Sequence, residues 1–69
     1  MIMSAFSETL KELRTDYGIS QAGLAKAIGV TQKAIDFWEK DINEPKASYI
    51  IALAQFFGVT SDFLLGIGE

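Results

Sequence analysis

Residues 21–39 have the sequence QAGLAKAIGVTQKAIDFWE, and this stretch decides the fold. Two short helical segments flank Gly29, a residue that tolerates the positive φ of a tight turn. Ala25 is small where the second segment packs closest, and Ala34 lets the two segments approach. Apolar residues bracket the turn and anchor the second segment in the core: Leu24, Ile28, Val30, Ile35 and Trp38. Together these positions predict two helices that cross steeply through a tight turn.

Outside that stretch, Gly, Ser, Thr and Pro residues divide the chain into further helical segments, and no segment alternates as a strand does. Ser20 and Thr31 are strong N-caps, and Ser4 is the expected N-cap of the first helix. Five helices are predicted, over about residues 5–16, 21–28, 32–40, 47–57 and 61–65. We therefore expect an all-α fold, a compact five-helix bundle, with residues 1–69 forming a single domain.

Helical spacing also predicts which side chains are buried and which lie at the surface. The apolar stripe of the first helix consists of Phe6, Leu10, Leu13 and Tyr17. Trp38 is expected in the core rather than as a stacking platform for bases. The acidic residues do not have the spacing of a calcium loop and are expected at the surface: Glu12, Asp16, Asp36, Glu39, Asp41 and Glu44.

The composition excludes several kinds of site. The chain has no cysteine and no histidine, which removes disulfides, thiolate metal sites and the commonest general base. No apolar run approaches the roughly 20 residues that cross a bilayer, and the N-terminus does not resemble a signal peptide. We therefore expect no enzymatic activity, cofactor, metal, small-molecule substrate or membrane contact, and a reducing cytoplasm as the location.

The charge is unevenly distributed along the chain. The net charge of the whole chain is −3, yet residues 20–40 carry +1 while residues 41–69 carry −3. Charges farther apart than a Debye length of roughly 8 Å are largely screened at physiological salt. A negative total therefore does not prevent residues 20–40 from meeting a polyanion.

Residues 10–66 resemble the helix-turn-helix domain of the Cro/C1 phage-repressor type, also called the xenobiotic-response-element family. The motifs that carry the resemblance are LKELR (10–14), GISQAGLAKAIGVT (18–31), WE (38–39), Pro45 and FGVTSDFLLG (57–66). The resemblance implies a lambda-repressor-like, five-helix domain that binds double-stranded DNA without a cofactor. It further implies a bacterial or phage transcriptional regulator, expected to be a repressor, that inserts its third helix into the major groove as a homodimer on a palindromic operator.

The resemblance also implies contacts, position by position. Gln32 and Lys33 match the first base-reading positions, and their side chains suit adenine N6/N7 and guanine O6/N7, respectively. The expected base contacts are Gln32, Lys33, Asp36 and Phe37. The expected phosphate contacts are Gln21, Thr31, Lys40 and Asn43. For each of these residues, a solvated surface position without contact is the alternative.

Three features depart from the family pattern, and the first two lie in the third helix and the loop after it. The loop after the third helix is often basic in relatives, whereas here residues 41–45 are DINEP. Fewer neutralised phosphates imply a shallow salt dependence of binding. Asp41 replaces a usual glycine and is expected to tolerate the left-handed conformation. Phe37 stands where a polar base-reader is usual; it would contact either a thymine methyl group or another protein.

The fourth helix has more apolar surface than one core face requires. This surplus predicts a subunit interface formed by Ile51, Phe56 and Ile67. The alternative is that Phe56 folds against residues 1–3. The resemblance further implies a contact between Arg14 and Glu39, taken as an exposed ion pair.

A second function remains open on the same scaffold. Phe37 and the acidic loop would also suit a protein-interaction module, such as an antitoxin-like or co-regulator domain. Binding to random duplex DNA at low salt discriminates between the two functions, because an interaction module would show none.

Overall fold

The computed structural model describes residues 5–67, and within them it contains helices and no strand. The helices are α1 (Ala5–Tyr17), α2 (Gln21–Ile28), α3 (Gln32–Glu39), α4 (Ala47–Phe57) and α5 (Ser61–Leu65). The expected all-α, five-helix fold is confirmed. Helix α1 ends one residue later than predicted, and α3 ends one residue earlier, with Lys40 as its C-cap. The predicted N-cap Ser4 lies outside the described residues.

Three helices begin at hydroxyl caps, and two of these caps, Ser20 and Thr31, are the predicted ones. The Oγ of Ser20 accepts a hydrogen bond from the Gly23 N–H at 2.9 Å, and Thr31 accepts one from Ala34 at 3.1 Å. Thr60 caps α5 in the same way. Each cap satisfies a backbone donor that the first turn of a helix leaves without a partner.

The turn between α2 and α3 depends on Gly29, whose φ is +79°. Its N–H and that of Val30 both donate to the Ala25 carbonyl at 2.9 Å, which closes the end of α2. Asp41 has a φ of +61°, so the expectation that it tolerates the left-handed region is confirmed. These two turns set the direction in which α3 enters and leaves the bundle.

The core receives one fully buried aliphatic side chain from each helix. These residues are Leu10, Leu24, Ile35, Leu53 and Leu64. Trp38 is also buried, as predicted, and its backbone carbonyl accepts a hydrogen bond from the buried hydroxyl of Ser7 at 2.7 Å. Ile35 and Trp38 lie one turn apart, so α3 is fixed to the core along one face.

Two predictions about burial are wrong. Tyr17 was expected to be the last residue of the buried stripe of α1, but it is 59% exposed. Its ring lies on the outside of α4, with its centroid 5.1 Å from that of Phe56 and 5.6 Å from that of Phe57. Glu39 was expected at the surface and is only 4% exposed, because Arg14 compensates its charge.

Candidate nucleic-acid interface

The first turn of α3 is the most accessible part of that helix. Gln32 and Lys33 are both exposed, whereas Ile35 and Trp38 are buried. Thr31 is exposed as well; its Oγ accepts from Ala34, so its hydroxyl hydrogen can still be donated outward. The end of the helix therefore presents two long polar side chains and one hydroxyl group to solvent.

The outward side of α3 carries two adjacent rows of side chains. Gln32, Asp36 and Lys40 are spaced by four residues and form one row; Lys33 and Phe37 form the other. Nζ of Lys40 lies 3.0 Å from Oδ2 of Asp36. Nζ of Lys33 lies 5.4 Å from the centroid of the Phe37 ring. Both lysines of this face therefore have a partner on their own helix.

Phe37 is half-buried rather than fully exposed. One side of its ring is covered by the Lys33 ammonium group. The ring therefore keeps an accessible part on the candidate face, and the predicted thymine contact stays a prediction.

Behind this face, Arg14 of α1 is bonded to Glu39 of α3. Nε donates to Oε2 at 2.6 Å, Nη2 donates to Oε1 at 3.2 Å, and Nη1 donates to the Ile19 carbonyl at 3.0 Å. The hydrogen bond to Glu39 raises the pKa of Arg14, which keeps the guanidinium charged. The expected contact between Arg14 and Glu39 is present, but it is a largely buried, bidentate ion pair rather than an exposed one.

Gln21 connects the Arg14–Glu39 pair to Asp36 in the outward row of α3. Its Nε2 donates to Oε1 of Glu39 at 3.1 Å and to Oδ1 of Asp36 at 3.2 Å. A side-chain amide has two N–H donors, so both are used within the chain. The opposite amide orientation would place its carbonyl oxygen against two carboxylates. A phosphate contact by Gln21 stays a prediction, and it would depend on backbone N–H groups at the start of α2 or on a rearranged amide.

Sequence reasoning missed this amide bridge. A signal for it was available, because Asp36 and Glu39 are three residues apart and share a helix face. What the sequence did not give is that Gln21 lies opposite both carboxylates. The hydrogen bond from Lys40 and, to a smaller extent, the one from Gln21 lower the pKa of Asp36, so the carboxylate is charged at neutral pH.

The two remaining phosphate candidates lie at and after the end of α3. Lys40 is exposed and pairs with Asp36, and Asn43 is exposed in the following loop. Asp41, an acid of that loop, is turned toward α1, where its Oδ1 lies 3.2 Å from Oγ of Ser7 and is the second acceptor for the single hydroxyl hydrogen that also faces the Trp38 carbonyl. Ile42 is 58% exposed beside it. Glu44, the other acid of the loop, is exposed.

The three predicted interface residues do not form one patch. Ile51 and Ile67 are exposed, whereas Phe56 is half-buried against Tyr17 and Phe57. Five residues along an α-helix correspond to a rotation of about 140°, so Ile51 and Phe56 face different directions around α4. The interface stays a prediction, with Ile51 and Ile67 as its accessible members. The alternative contact of Phe56 with residues 1–3 lies outside the described residues.

Between residues 5 and 67, no cluster of acidic side chains could hold a metal ion. None of the helices in that range has the length and apolar character needed to cross a membrane.

The sequence model of the helix-turn-helix family matches residues 10–64. The chain is 37% identical over 60 residues to the SPbeta prophage-derived HTH-type transcriptional regulator YonR of Bacillus subtilis (strain 168). It is also 37% identical over 60 residues to the HTH-type transcriptional activator BcrR of Enterococcus faecalis. Each match covers 87% of this chain, but only 56% of YonR and 29% of BcrR.

A solved structure with a similar fold is that of the P22 c2 repressor in complex with synthetic operator 9T. The TM-score is 0.83 at 33% identity, covering 87% of this chain and 91% of that one. The similarity therefore extends over nearly the whole of the compared repressor chain.

Proposed function

The chain belongs to the helix-turn-helix family of the Cro/C1 type, and from that premise we propose that it binds duplex DNA through α3 and regulates transcription. The observation that carries the proposal is the exposure of Gln32 and Lys33 at the start of α3, while Ile35 and Trp38 fix the opposite face. The similarity to a repressor solved with its operator supports it.

In this proposal the start of α3 reads bases in the major groove. The amide of Gln32 pairs with N6 and N7 of adenine, and the ammonium group of Lys33 donates to O6 and N7 of guanine. Thr31 donates its hydroxyl hydrogen to a phosphate while its oxygen caps the helix. Lys40 and Asn43, at and after the C-terminal end of α3, bind the phosphate backbone of the DNA.

Binding of an acidic chain to DNA follows from where its charges lie. Residues 20–40 carry a net charge of +1, and the starts of α2 and α3 add the partial positive charge of helix N-termini. Lys40 must exchange Asp36 for a phosphate, so part of its Coulomb attraction to DNA is offset. We therefore propose binding with a weak non-specific component and a shallow salt dependence.

The operator is proposed to be palindromic and bound by a homodimer. Two copies of α3 would then lie in successive major grooves, roughly 34 Å apart. Ile51 and Ile67 are proposed to meet their counterparts, because both are exposed aliphatic side chains. The proposed mode of regulation is repression by occupancy of a promoter; one similar protein is named a repressor and another an activator.

The proposal assigns no catalytic activity, cofactor, metal or small-molecule substrate to the chain. It places the protein in the cytoplasm of a bacterium or of a phage-infected cell, where a transcriptional regulator meets its DNA.

The test is selection of bound sequences from random duplexes, followed by affinity measurements on the selected site. Gln32→Ala and Lys33→Ala should each weaken binding roughly 5- to 150-fold, the loss expected for a base contact of about 1–3 kcal/mol. Gln55→Ala on α4 and Lys11→Ala on α1 are matched controls, because both side chains are exposed and belong to other helices. Absence of any enriched sequence at low salt would refute the proposal.

A protein-interaction module is the second candidate, and Ile42 favours it. This aliphatic side chain is exposed within the acidic loop, where a DNA-binding surface would carry basic residues. A salt titration on random duplex DNA separates the two functions. Binding that weakens steadily with salt supports DNA recognition, whereas no binding at low salt supports the interaction module.

A further inference from the structure

Asp36 is an unusual residue for the middle of a surface that meets DNA. It lies one turn after Gln32 in the same outward row, and its side chain is 29% exposed. A carboxylate there repels phosphates and the acceptor atoms of bases. Its presence is favourable only where the DNA offers a hydrogen-bond donor.

The carboxylate of Asp36 is fixed from two sides. Nε2 of Gln21 donates to Oδ1 at 3.2 Å, and Nζ of Lys40 binds Oδ2 at 3.0 Å. Gln21 is itself held by Glu39, which Arg14 fixes to α1. Each carboxylate oxygen keeps a second lone pair, so both can still accept a hydrogen bond from outside the chain.

We infer that Asp36, positioned by Gln21, selects an exocyclic amino group at one position of each half-site, with cytosine as the preferred base. Cytosine presents its N4 amino group in the major groove with no acceptor on the same base edge. Adenine presents N6 beside the acceptor N7, which repels the second carboxylate oxygen. Guanine and thymine present acceptors to the groove and no donor.

Lys40 increases the discrimination between cytosine and the other bases. In the free chain its ammonium group compensates the charge of Asp36. When Lys40 binds a DNA phosphate instead, Oδ2 of Asp36 loses its hydrogen-bond donor. A base amino group then takes the place of the ammonium group as the donor to Oδ2. A site without that amino group leaves the carboxylate facing only acceptors, so a mismatch there is penalised more than a lost neutral hydrogen bond.

The inference rests on the proposed function, and its first test keeps the two separable. The wild-type chain and Asp36→Asn are both subjected to selection from random duplexes. The wild type should select cytosine at one position of each half-site. Asp36→Asn should lose that cytosine and gain adenine, because an amide both donates and accepts. Identical motifs would overturn the inference and leave DNA binding intact, whereas no motif for the wild type would refute the proposed function itself.

A second test removes only the amino group. In the selected site, the cytosine is replaced by 2-pyrimidinone, which lacks the N4 amino group. The wild type should lose roughly 5- to 150-fold in affinity, since a base contact is worth about 1–3 kcal/mol. Asp36→Ala, which has no side-chain acceptor, should bind both duplexes within about twofold. Equal losses in both proteins would overturn the inference. Thermal melting followed by circular dichroism establishes that the variant is folded.

The role of Gln21 as a positioning residue has its own readout. Gln21→Met keeps the length of the side chain and removes its donors. The ratio of affinities for the cytosine and 2-pyrimidinone duplexes should fall at least threefold in this variant. A merely structural role would lower both affinities equally and leave that ratio unchanged, and this result would contradict the assignment.

Discussion

Arg14 and Glu39 connect α1 to the end of α3 through two hydrogen bonds, at 2.6 Å from Nε to Oε2 and 3.2 Å from Nη2 to Oε1. Glu39 is 4% exposed and Arg14 is 16% exposed. Because Ile35 and Trp38 already fix one face of α3, this pair fixes its far end. The outward row is therefore presented by a helix that is held at three points.

The first prediction concerns removal of Arg14. Arg14→Met should lower the free energy of unfolding by about 3 kcal/mol, because loss of one partner leaves the other charge buried without compensation. Because Arg14 is partly exposed, the loss should lie at the low end of the range usual for buried ion pairs. Urea denaturation measures it. Lys11→Met, at an exposed position of the same helix, is the control and should change stability by less than about 0.5 kcal/mol. Equal effects of the two substitutions would contradict this account.

The second prediction concerns the titration of Asp36. Hydrogen bonds from Lys40 and then Gln21 lower the pKa of its carboxyl group below the ordinary value of about 3.9. Since the folded pKa is the lower one, this group contributes stability at pH values above about 4, and the contribution is lost as the pH falls through the folded pKa. Carboxyl-carbon NMR titration should show the lowered pKa.

Two variants test the cause of that shift. Lys40→Ala and Gln21→Ala should each move the pKa of Asp36 back toward its ordinary value, and Lys40→Ala should move it further because the Lys40 hydrogen bond is the larger cause. An Asp36 pKa that is the same in all three proteins would show that neither hydrogen bond persists in solution.

The sequence predicted the parts of this fold that depend on local chemistry. Hydroxyl caps such as Ser20 and Thr31, and the positive φ of Gly29, are set by the residue itself and its near neighbours. The burial of Ile35 and Trp38 follows from their spacing on one short helix. The turn and the exposed start of α3 were therefore predictable.

Features that join distant parts of the chain were predictable only in part. The Arg14–Glu39 contact was expected from the resemblance, but its burial depends on how closely α1 and α3 approach. The bridge from Gln21 to Asp36 depends on the crossing angle of α2 and α3. Tyr17 is exposed because its ring packs on Phe56 and Phe57 at the outside of α4 and does not enter the core.

The third prediction tests the cap of α3. Thr31→Ala should destabilise the fold by about 1 kcal/mol, because the Ala34 N–H loses its hydrogen-bond acceptor. Thr31→Ser keeps the hydroxyl group and should remain within about 0.5 kcal/mol of the wild type. Thermal unfolding compares the three proteins. If the serine variant were as unstable as the alanine variant, the methyl group rather than the cap would be responsible.

The fourth prediction compares two glycines with positive φ. Gly29→Ala should destabilise the fold by about 1–2 kcal/mol from backbone strain alone, because a Cβ there meets no atom within 4 Å. Gly66→Ala should destabilise it more, because its Cβ would overlap that of Ala5. A double-mutant cycle with Ala5→Gly isolates the overlap. A zero coupling free energy would contradict the close approach of α1 to the end of α5.

The fifth prediction separates the two apolar regions of α4. Ile51→Ser should change stability little, because the side chain is 51% exposed, but it should weaken self-association measured by sedimentation equilibrium. Phe56→Ala should lower the free energy of unfolding by about 2 kcal/mol, less than for a fully buried phenylalanine, because its ring is half-buried against Tyr17 and Phe57. A dimer disrupted by Phe56→Ala and unaffected by Ile51→Ser would reverse the assignment and place the subunit contact on the aromatic side of α4. A protein that stays monomeric at every concentration, with and without operator DNA, would exclude the homodimer from the proposed mechanism. Base recognition by α3 would then be tested by measuring affinity for single half-sites.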